Sequence, residues 1–271
     1  MVNRRETLKT QCSEYKRTSS KNTLAIKNII LDKEHNFSWC PVYKGGSTHW
    51  LWTMASTSKK FDRTIWEFLK DKIHISSYTR QLYETGLSLE DKYKAIQKSI
   101  KVISTRHPFE RLLSAYRDKF ERPNRSYYYR KYGNHIISSY QNERTGINSV
   151  KQPTFSQFLK FIISEKNFDE HWRPYYIECD PCGIEYDYIL KLDNLHIEEK
   201  YLFKVLNVSR TIKDNRDVDN INPNGRTNHN ISKQYFSKVK EHLLRDIFKL
   251  YERDFLIFGY SPNWYYDLTM K

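Results

Sequence analysis

Cys40-Pro-Val-Tyr-Lys-Gly-Gly-Ser-Thr-His-Trp50 and Ser104-Thr-Arg-His-Pro-Phe-Glu-Arg-Leu-Leu-Ser-Ala-Tyr116 decide how this chain of 271 residues is read. In the first stretch Lys44 precedes two glycines and two hydroxyl residues, so a loop without Cβ bulk can turn backbone N–H groups onto an anion while the ammonium adds charge. The order differs from G-x-x-x-x-G-K-[ST], in which the lysine follows the glycines, and no Asp-ended apolar strand comes later to serve as a Walker B. An ordinary ATPase is therefore disfavoured. Alone, Lys44 to Thr48 also fits a flexible surface turn.

The second stretch raises the value of the first. Lys101 to Arg106 reads as a short strand with Arg106 at its polar end. Pro108 suits the first turn of a helix whose apolar stripe is Phe109, Leu112, Leu113 and Tyr116. Arg106 and Ser114 then supply a charge-assisted fork and a hydroxyl for one phosphate. The plainer alternative is an amphipathic helix with solvated arginines.

Together the two segments resemble the carbohydrate sulfotransferase family that modifies chondroitin, dermatan and related glycans. In that family a C-x-V-P-K-V-x-C-T-N-W loop holds the 5′-phosphosulfate of 3′-phosphoadenosine 5′-phosphosulfate (PAPS), and an R-x-P-F-x-R-L-x-S-A-Y segment holds its 3′-phosphate. His171-Trp-Arg-Pro174, Cys179-Asp-Pro-Cys182, Tyr186-Asp187 and Asp254 to Tyr260 are similar to later landmarks of the family, in the same order, so the likeness runs from about residue 10 to 260. It implies a P-loop-like α/β fold, a parallel sheet flanked by helices, in one catalytic domain over 1–271, with a stem-like segment at 1–35 and a surface excursion at 120–152. It assigns Lys44, Gly45, Gly46, Ser47, Thr48, His49 and Trp50 to the phosphosulfate loop and Arg106 and Ser114 to the 3′-phosphate. There are departures. Tyr43 stands where the family has Pro, Ser47 where it often has Cys, and His49-Trp50-Leu51-Trp52 replaces Asn-Trp-Lys-Arg, which removes two positive charges from the neighbourhood of the loop.

The implied chemistry is in-line transfer of a sulfuryl group from PAPS to a sugar hydroxyl, in which the protein supplies alignment and charge stabilisation. Lys44 belongs beside the bridging oxygen where charge accumulates, and no metal is required. A sugar hydroxyl benefits from a general base, and His171 is the leading candidate because it lies in a family landmark away from the cofactor segments. The competing reading is a histidine bonded to backbone, the commoner fate of the nine histidines. His49 and His107 read as neighbours of the phosphates. Arg173 is a candidate contact to a glycan carboxylate or sulfate, and Arg226 to the cofactor.

Composition agrees. With 46 Lys+Arg against 32 Asp+Glu the formal charge is +14, which favours polyanionic partners. Residues 101–131 are locally basic and interleaved with Tyr127, Tyr128, Tyr129 and Tyr132, a pattern that fits an acidic-sugar groove, a solvated basic loop, or stacking on bases. The chain lacks a zinc-finger, RRM or basic-zipper pattern, so an acidic glycan is expected as partner and nucleic acid is not. A catalytically inactive binder of heparin-like polyanions is the alternative that the altered His49 to Trp52 stretch keeps open.

Cys12, Cys40, Cys179 and Cys182 fit two disulfides in an oxidising compartment, with three pairings possible. Sequons at Asn36, Asn124, Asn207 and Asn230 permit glycosylation but are near chance frequency. The longest apolar stretch near the N-terminus, Leu24 to Leu31, is far short of a bilayer span of roughly 20 residues. Family members are single-pass Golgi proteins, so the resemblance implies the Golgi lumen and a membrane connection only through an anchor absent from this chain. Along the sequence the pattern predicts an extended segment before Cys40, helical periodicity from Leu51 to Leu69, a helix capped by Thr154 and Gln157, a strand over 186–192, one amphipathic helix from near Ser232 through Tyr251, and a closing strand at Phe255 to Phe258.

Overall fold

Four short strands form one sheet in the order β1-β2-β3-β4: Ile30–Asp32, Phe37–Cys40, Ile100–Thr105 and Tyr188–Lys191. In this computed structural model, which describes residues 2–15, 22–63, 65–121, 127–140, 152–208 and 225–270, β2, β3 and β4 run parallel and β1 lies antiparallel on β2. The expected parallel sheet is thus present with one antiparallel edge. Its strands read Phe-Ser-Trp-Cys, Ile-Lys-Val-Ile-Ser-Thr and Tyr-Ile-Leu-Lys, rich in the aromatic and β-branched residues that fit a covered, pleated surface.

The helices, in chain order, are α1 (Val2–Glu14), α2 (Thr23–Asn28), α3 (Ser47–Thr57), α4 (Ile65–Asp71), α5 (Ile75–Leu82), α6 (Leu89–Lys98), α7 (Pro108–Lys119), α8 (Asn134–Ser139), α9 (Phe155–Glu165), α10 (Tyr175–Glu178), α11 (Pro181–Ile184), α12 (Leu195–Val205), α13 (His229–Phe236), α14 (Glu241–Phe258) and α15 (Asn263–Leu268). They divide between two compact units, Met1–Arg106 with Tyr175–Asn220, and His107–Pro174 with Ile221–Lys271.

The first unit contains the sheet. Its core joins Trp39, Val102 and Leu190 of the strands to Trp50 and Met54 of α3 and Leu202 and Phe203 of α12. Two disulfides lie in it, Cys12–Cys182 and Cys40–Cys179, which selects one of the three pairings. The segment expected to be stem-like contributes to this unit. Arg4 on α1 donates to both carboxylate oxygens of Glu198 at 2.7 Å, and Ile30 of β1 is in the core.

The second unit is helical, built on Phe109, Leu112 and Leu113 of α7, Phe158, Leu159 and Ile162 of α9, and Leu244, Ile247, Tyr251 and Phe255 of α14. Thr154 and Gln157 close a reciprocal capping box at the start of α9, as their spacing predicts. Two expectations are corrected. Phe255 to Phe258 is no strand: it completes α14, because Ile247, Tyr251 and Phe255 continue one i, i+4 stripe until Gly259, at φ 60°, ends the helix in the left-handed conformation. The single last helix is two, since α13 stops at Phe236 and α14 begins at Glu241. Within the expected 120–152 excursion, residues 127–139 are helical with a π-turn at Tyr129–Gly133, and Tyr132 and Ile136 are buried. Residues 122–126 and 141–151, with the sequon at Asn124, lie outside the described residues.

Candidate active site

The phosphosulfate loop expected from the sequence leaves the carboxyl end of β2 and enters α3 after a tight turn. The Gly45 amide donates to the Val42 carbonyl at 3.1 Å, Lys44 has φ 67° and Gly46 φ 89°. A lysine in the left-handed region is held there against a steric cost of order 1 kcal/mol, which marks the turn as tightly determined. The glycines leave little room on their packed side. A Cβ on Gly45 would lie 3.0 Å from the Tyr175 hydroxyl and 3.2 Å from the Val42 carbonyl oxygen, and one on Gly46 would meet Leu192 and Leu195 at 3.1 and 3.2 Å. The first i→i−4 bond of α3 is Trp50 N–H to Gly46 C=O, at 3.2 Å. The amides of Gly46, Ser47 and Thr48 precede it, and no acidic side chain stands in the first turn. Unsatisfied N–H groups and the positive end of the dipole at such a helix start favour an anion. The Gly45 amide instead closes the turn.

Arg106 comes from the neighbouring strand. β2 and β3 are parallel, with Cys40 opposite Ile103, so both carboxyl ends lie at one edge of the sheet, where open α/β sheets bind ligands. Arg106 follows β3 directly, is 8% exposed, and its Nη1 donates to the Lys44 carbonyl at 3.4 Å. Lys44 and Arg106 are thus brought together. Tyr175, which the sequence reading passed over, ties them: it is fully buried, its hydroxyl accepts the Arg106 backbone N–H at 2.9 Å, and the same oxygen packs against Gly45. Its signal was its place right after His171-Trp-Arg-Pro174.

The remaining loop residues divide by burial. His49 Nε2 is 2.6 Å from Glu199 Oε2, a buried carboxylate on α12. Trp50 is fully buried, stacked on Trp39 at 5.5 Å, so its part is to seat α3. Leu51 and Trp52 are buried too, and Trp52 meets the edge of Phe68 at 4.8 Å.

The second unit holds the other candidates. Ser114 lies half-buried on α7. His171 is buried, its Nδ1 2.8 Å from Asp169 Oδ1, which also accepts the His171 amide at 3.1 Å. Burial pushes the Asp169 carboxyl up, but the hydrogen bonds from the His171 ring and amide outweigh it, leaving Asp169 below its ordinary range. The loop that carries His171 is pinned from three sides. Arg111 of α7, 2% exposed, donates to the carbonyls of Arg173 at 2.6 Å and Glu170 at 3.3 Å, Trp172 Nε1 donates to Asn167 at 2.7 Å, and the Tyr251 hydroxyl donates to the Trp172 carbonyl. Arg111 is the second positioning residue that sequence reasoning missed; its trace was an arginine inside the apolar stripe of α7.

Arg173 is half-buried, with its backbone committed to Asp169 and Arg111, and Arg226 is exposed. His107, read as a phosphate neighbour, donates from Nε2 to the Ser261 carbonyl at 3.0 Å within a ring of Phe255, Tyr260 and Tyr265. Among the described residues no group of three or more His, Cys, Asp or Glu is placed to hold a metal ion, and no helix is long and apolar enough to cross a membrane.

The sequence matches the Sulfotransferase family over residues 27–261. Among curated relatives it is similar to carbohydrate sulfotransferase 8 of Homo sapiens, 27% identical over 95% of this chain and 62% of the relative. Carbohydrate sulfotransferase 11 of Rattus norvegicus is 27% identical over 88% of this chain and 69% of the relative, and carbohydrate sulfotransferase 12 of Xenopus laevis 28% over 87% and 60%. The chain thus spans about three fifths to two thirds of the length of these relatives. No solved structure matches it. A β2–turn–α3 loop carrying two glycines beside a strand-end arginine, in a mixed sheet flanked by helices, agrees with the family match over most of the sequence: the chain belongs to the sulfotransferase family.

Proposed function

We propose that this chain transfers a sulfuryl group from PAPS to a hydroxyl of a glycan, of the glycosaminoglycan kind such as chondroitin or dermatan. The observation that carries the reading is the meeting of the Lys44 turn, the open amides of α3 and the Arg106 guanidinium at the carboxyl ends of two adjacent parallel strands. That donor set is cationic and amide-based, as an anionic nucleotide requires. When bound, PAPS supplies an activated sulfuryl group and leaves as adenosine 3′,5′-bisphosphate.

In this reading Lys44 donates to the oxygen on which negative charge builds, and the amides of Gly46, Ser47 and Thr48 hold the phosphosulfate. The Gly45 and Gly46 turn aims those groups, and His49 and Trp50 fix the start of α3 through Glu199 and Trp39. Arg106 and Ser114 take the 3′-phosphate, with Arg226 a further contact to the nucleotide. His171 accepts the proton of the sugar hydroxyl at Nε2 while Asp169 accepts from Nδ1–H and fixes that tautomer. Arg173 pairs with a glycan carboxylate or sulfate. The two disulfides accord with an oxidising compartment, the Golgi lumen for this family.

The test is incubation with isotopically labelled PAPS and a panel of desulfated glycans. Wild type should incorporate label, and Lys44→Ala should lose about a hundredfold or more in rate, on the order of 3 kcal/mol of transition-state stabilisation. Equal incorporation by the variant, or no protection of wild type against thermal unfolding by adenosine 3′,5′-bisphosphate, would defeat the reading.

A further inference from the structure

Beside His171 the second unit carries rings and ammonium groups that the transfer chemistry does not use. The Tyr128 ring stands edge-on to the His171 imidazole, centroids 4.9 Å apart, and Lys119 Nζ lies 4.5 Å from the centroid of the same Tyr128 ring. One step along the helix, Lys131 Nζ lies 4.8 Å from the ring of Tyr132 and 5.4 Å from that of Tyr127. Tyr132 is buried on Trp172, whereas Tyr127 is 59% exposed and Lys131 is exposed with it. The backbone here makes the π-turn at Tyr129–Gly133, a geometry that concentrates at functional sites. Gly133 is what lets it close, since a Cβ there would meet the Tyr129 ring at 2.9 Å.

We propose that this patch is the subsite for an acidic sugar of the acceptor, a ring bearing a carboxylate or a sulfate ester, next to the sugar whose hydroxyl reacts. The inference rests on the reading of His171 as the base that receives the hydroxyl proton. The apolar face of the sugar lies on the exposed Tyr127 ring, and its anionic group pairs with Lys131, with Lys119 reinforcing the positive field. Tyr128 forms the wall between this subsite and the imidazole, so the two positions are separated by one aromatic ring. Charge decides the ligand. Lys131 is exposed, with its Nζ over the Tyr132 and Tyr127 rings, whereas Lys119 is already ion-paired with Asp118 at 3.0 Å, so Lys131 is the main anion contact. A neutral glycan would satisfy the ring but offer the exposed ammonium no counter-charge beyond the field of Asp169, which is already bonded to His171.

Calorimetric titration of the whole chain tests this with three chondroitin oligosaccharides of equal length: unsulfated, carboxyl-reduced and 4-sulfated, and carboxyl-reduced and unsulfated. The first two separate carboxylate from sulfate as the anion read, and the third is neutral. The neutral oligosaccharide should bind at least tenfold more weakly than the better anionic one. Tyr127→Ala and Lys131→Gln should each cost about tenfold for that ligand, as loss of a ring platform or a charge-assisted contact does. Melting temperature and affinity for adenosine 3′,5′-bisphosphate should be unchanged in both variants. Equal binding of the neutral oligosaccharide, or wild-type glycan affinity in both variants, overturns the proposal, as does tighter binding of a length-matched oligouridylate through the same two residues. The bisphosphate titration, run with Lys44→Ala, reports on the donor site alone. If it fails while the glycan pattern holds, the transfer reading falls and the anionic-sugar subsite stands.

Discussion

Tyr175 gives the sharpest test of how the site is built, because one oxygen makes two separable contacts. Tyr175→Phe removes the acceptor of the Arg106 N–H, a donor in a residue only 8% exposed, at 2.9 Å. Leaving such a buried amide unsatisfied costs about 1–3 kcal/mol. Gly45→Ala acts on the other contact. Its methyl carbon would sit 3.0 Å from the Tyr175 oxygen and 3.2 Å from the Val42 carbonyl oxygen, so the turn must shift, at about 1–3 kcal/mol for an overpacked site. Combined, the two changes should not add. Phenylalanine takes away the nearer of the two obstructing atoms, so the alanine costs less in its presence, and a coupling of roughly 1 kcal/mol is expected for residues in contact. Urea denaturation of the wild type, both single variants and the double variant measures it. Titration with adenosine 3′,5′-bisphosphate should show the same partial recovery, because the turn and the Arg106 backbone move together. Single-variant losses that add to within a few tenths of a kcal/mol would mean that the turn and the hydroxyl are independent. The account of Tyr175 as the tie between Lys44 and Arg106 would then be wrong.

Other expectations are simpler. Asp169 sits below its ordinary value of 3.8, so its interaction with His171 stabilises the fold above that pH and is lost as pH falls through the lowered value; Asp169→Asn should therefore lower the denaturation midpoint at neutral pH and converge with wild type in strong acid. The same variant should slow sulfate incorporation more than it weakens glycan binding, since it deprives the imidazole of its tautomer-fixing partner. Cys12–Cys182 and Cys40–Cys179 close 170 and 139 residues of sequence, so Cys12→Ser should cost about 5 kcal/mol on the chain-entropy estimate, read from denaturation with and without reductant. Leu51→Lys with Trp52→Arg, which installs the residues family members carry, should strongly destabilise the protein and leave bisphosphate affinity no higher, because both positions are buried.

What could be read from the sequence was set by the range of the physics involved. The loop at Lys44, the strand before Arg106, the proline-started α7 and the Thr154 capping box are local: a few adjacent residues fix them, and they stand where the sequence placed them. The end of α14 misled because Phe255-Leu-Ile-Phe258 is as apolar as a buried strand, and only its phase with Ile247 and Tyr251 shows it to be helical. The contacts of Tyr175, Arg111 and Glu199 were illegible for a different reason. Each joins residues 59 to 150 apart in sequence, and no periodicity reports such a contact. The disulfide pairing was open on the same grounds. Nothing in the spacing of four cysteines says that Cys40, at the end of β2, meets Cys179, while Cys12 meets Cys182.

The stretch His49 to Trp52 bears on whether the chain is an enzyme or only grips polyanions. The second possibility drew its force from two charges missing beside the cofactor loop. Leu51 is 2% exposed and Trp52 8%, and both belong to the packed side of α3. A lysine and an arginine at those positions would need carboxylate partners or a route to water. Here the space is filled by Phe68 against Trp52 and by the cluster that Leu51 shares with Met54. The replacement is therefore an exchange of interior contacts, and it leaves untouched the turn at Lys44, the amides opening α3 and Arg106, which carry the proposed donor site. At His49 the change does touch the loop, but it brings in a ring held 2.6 Å from the buried Glu199 carboxylate, which fastens the first turn of α3 to α12. Loss of function at such a site would be expected to loosen the groups that aim at the donor. Instead, Glu199 fixes the helix start and Tyr175 fixes the spacing of the turn from Arg106, and that rigidity is what positioning in sulfuryl transfer demands.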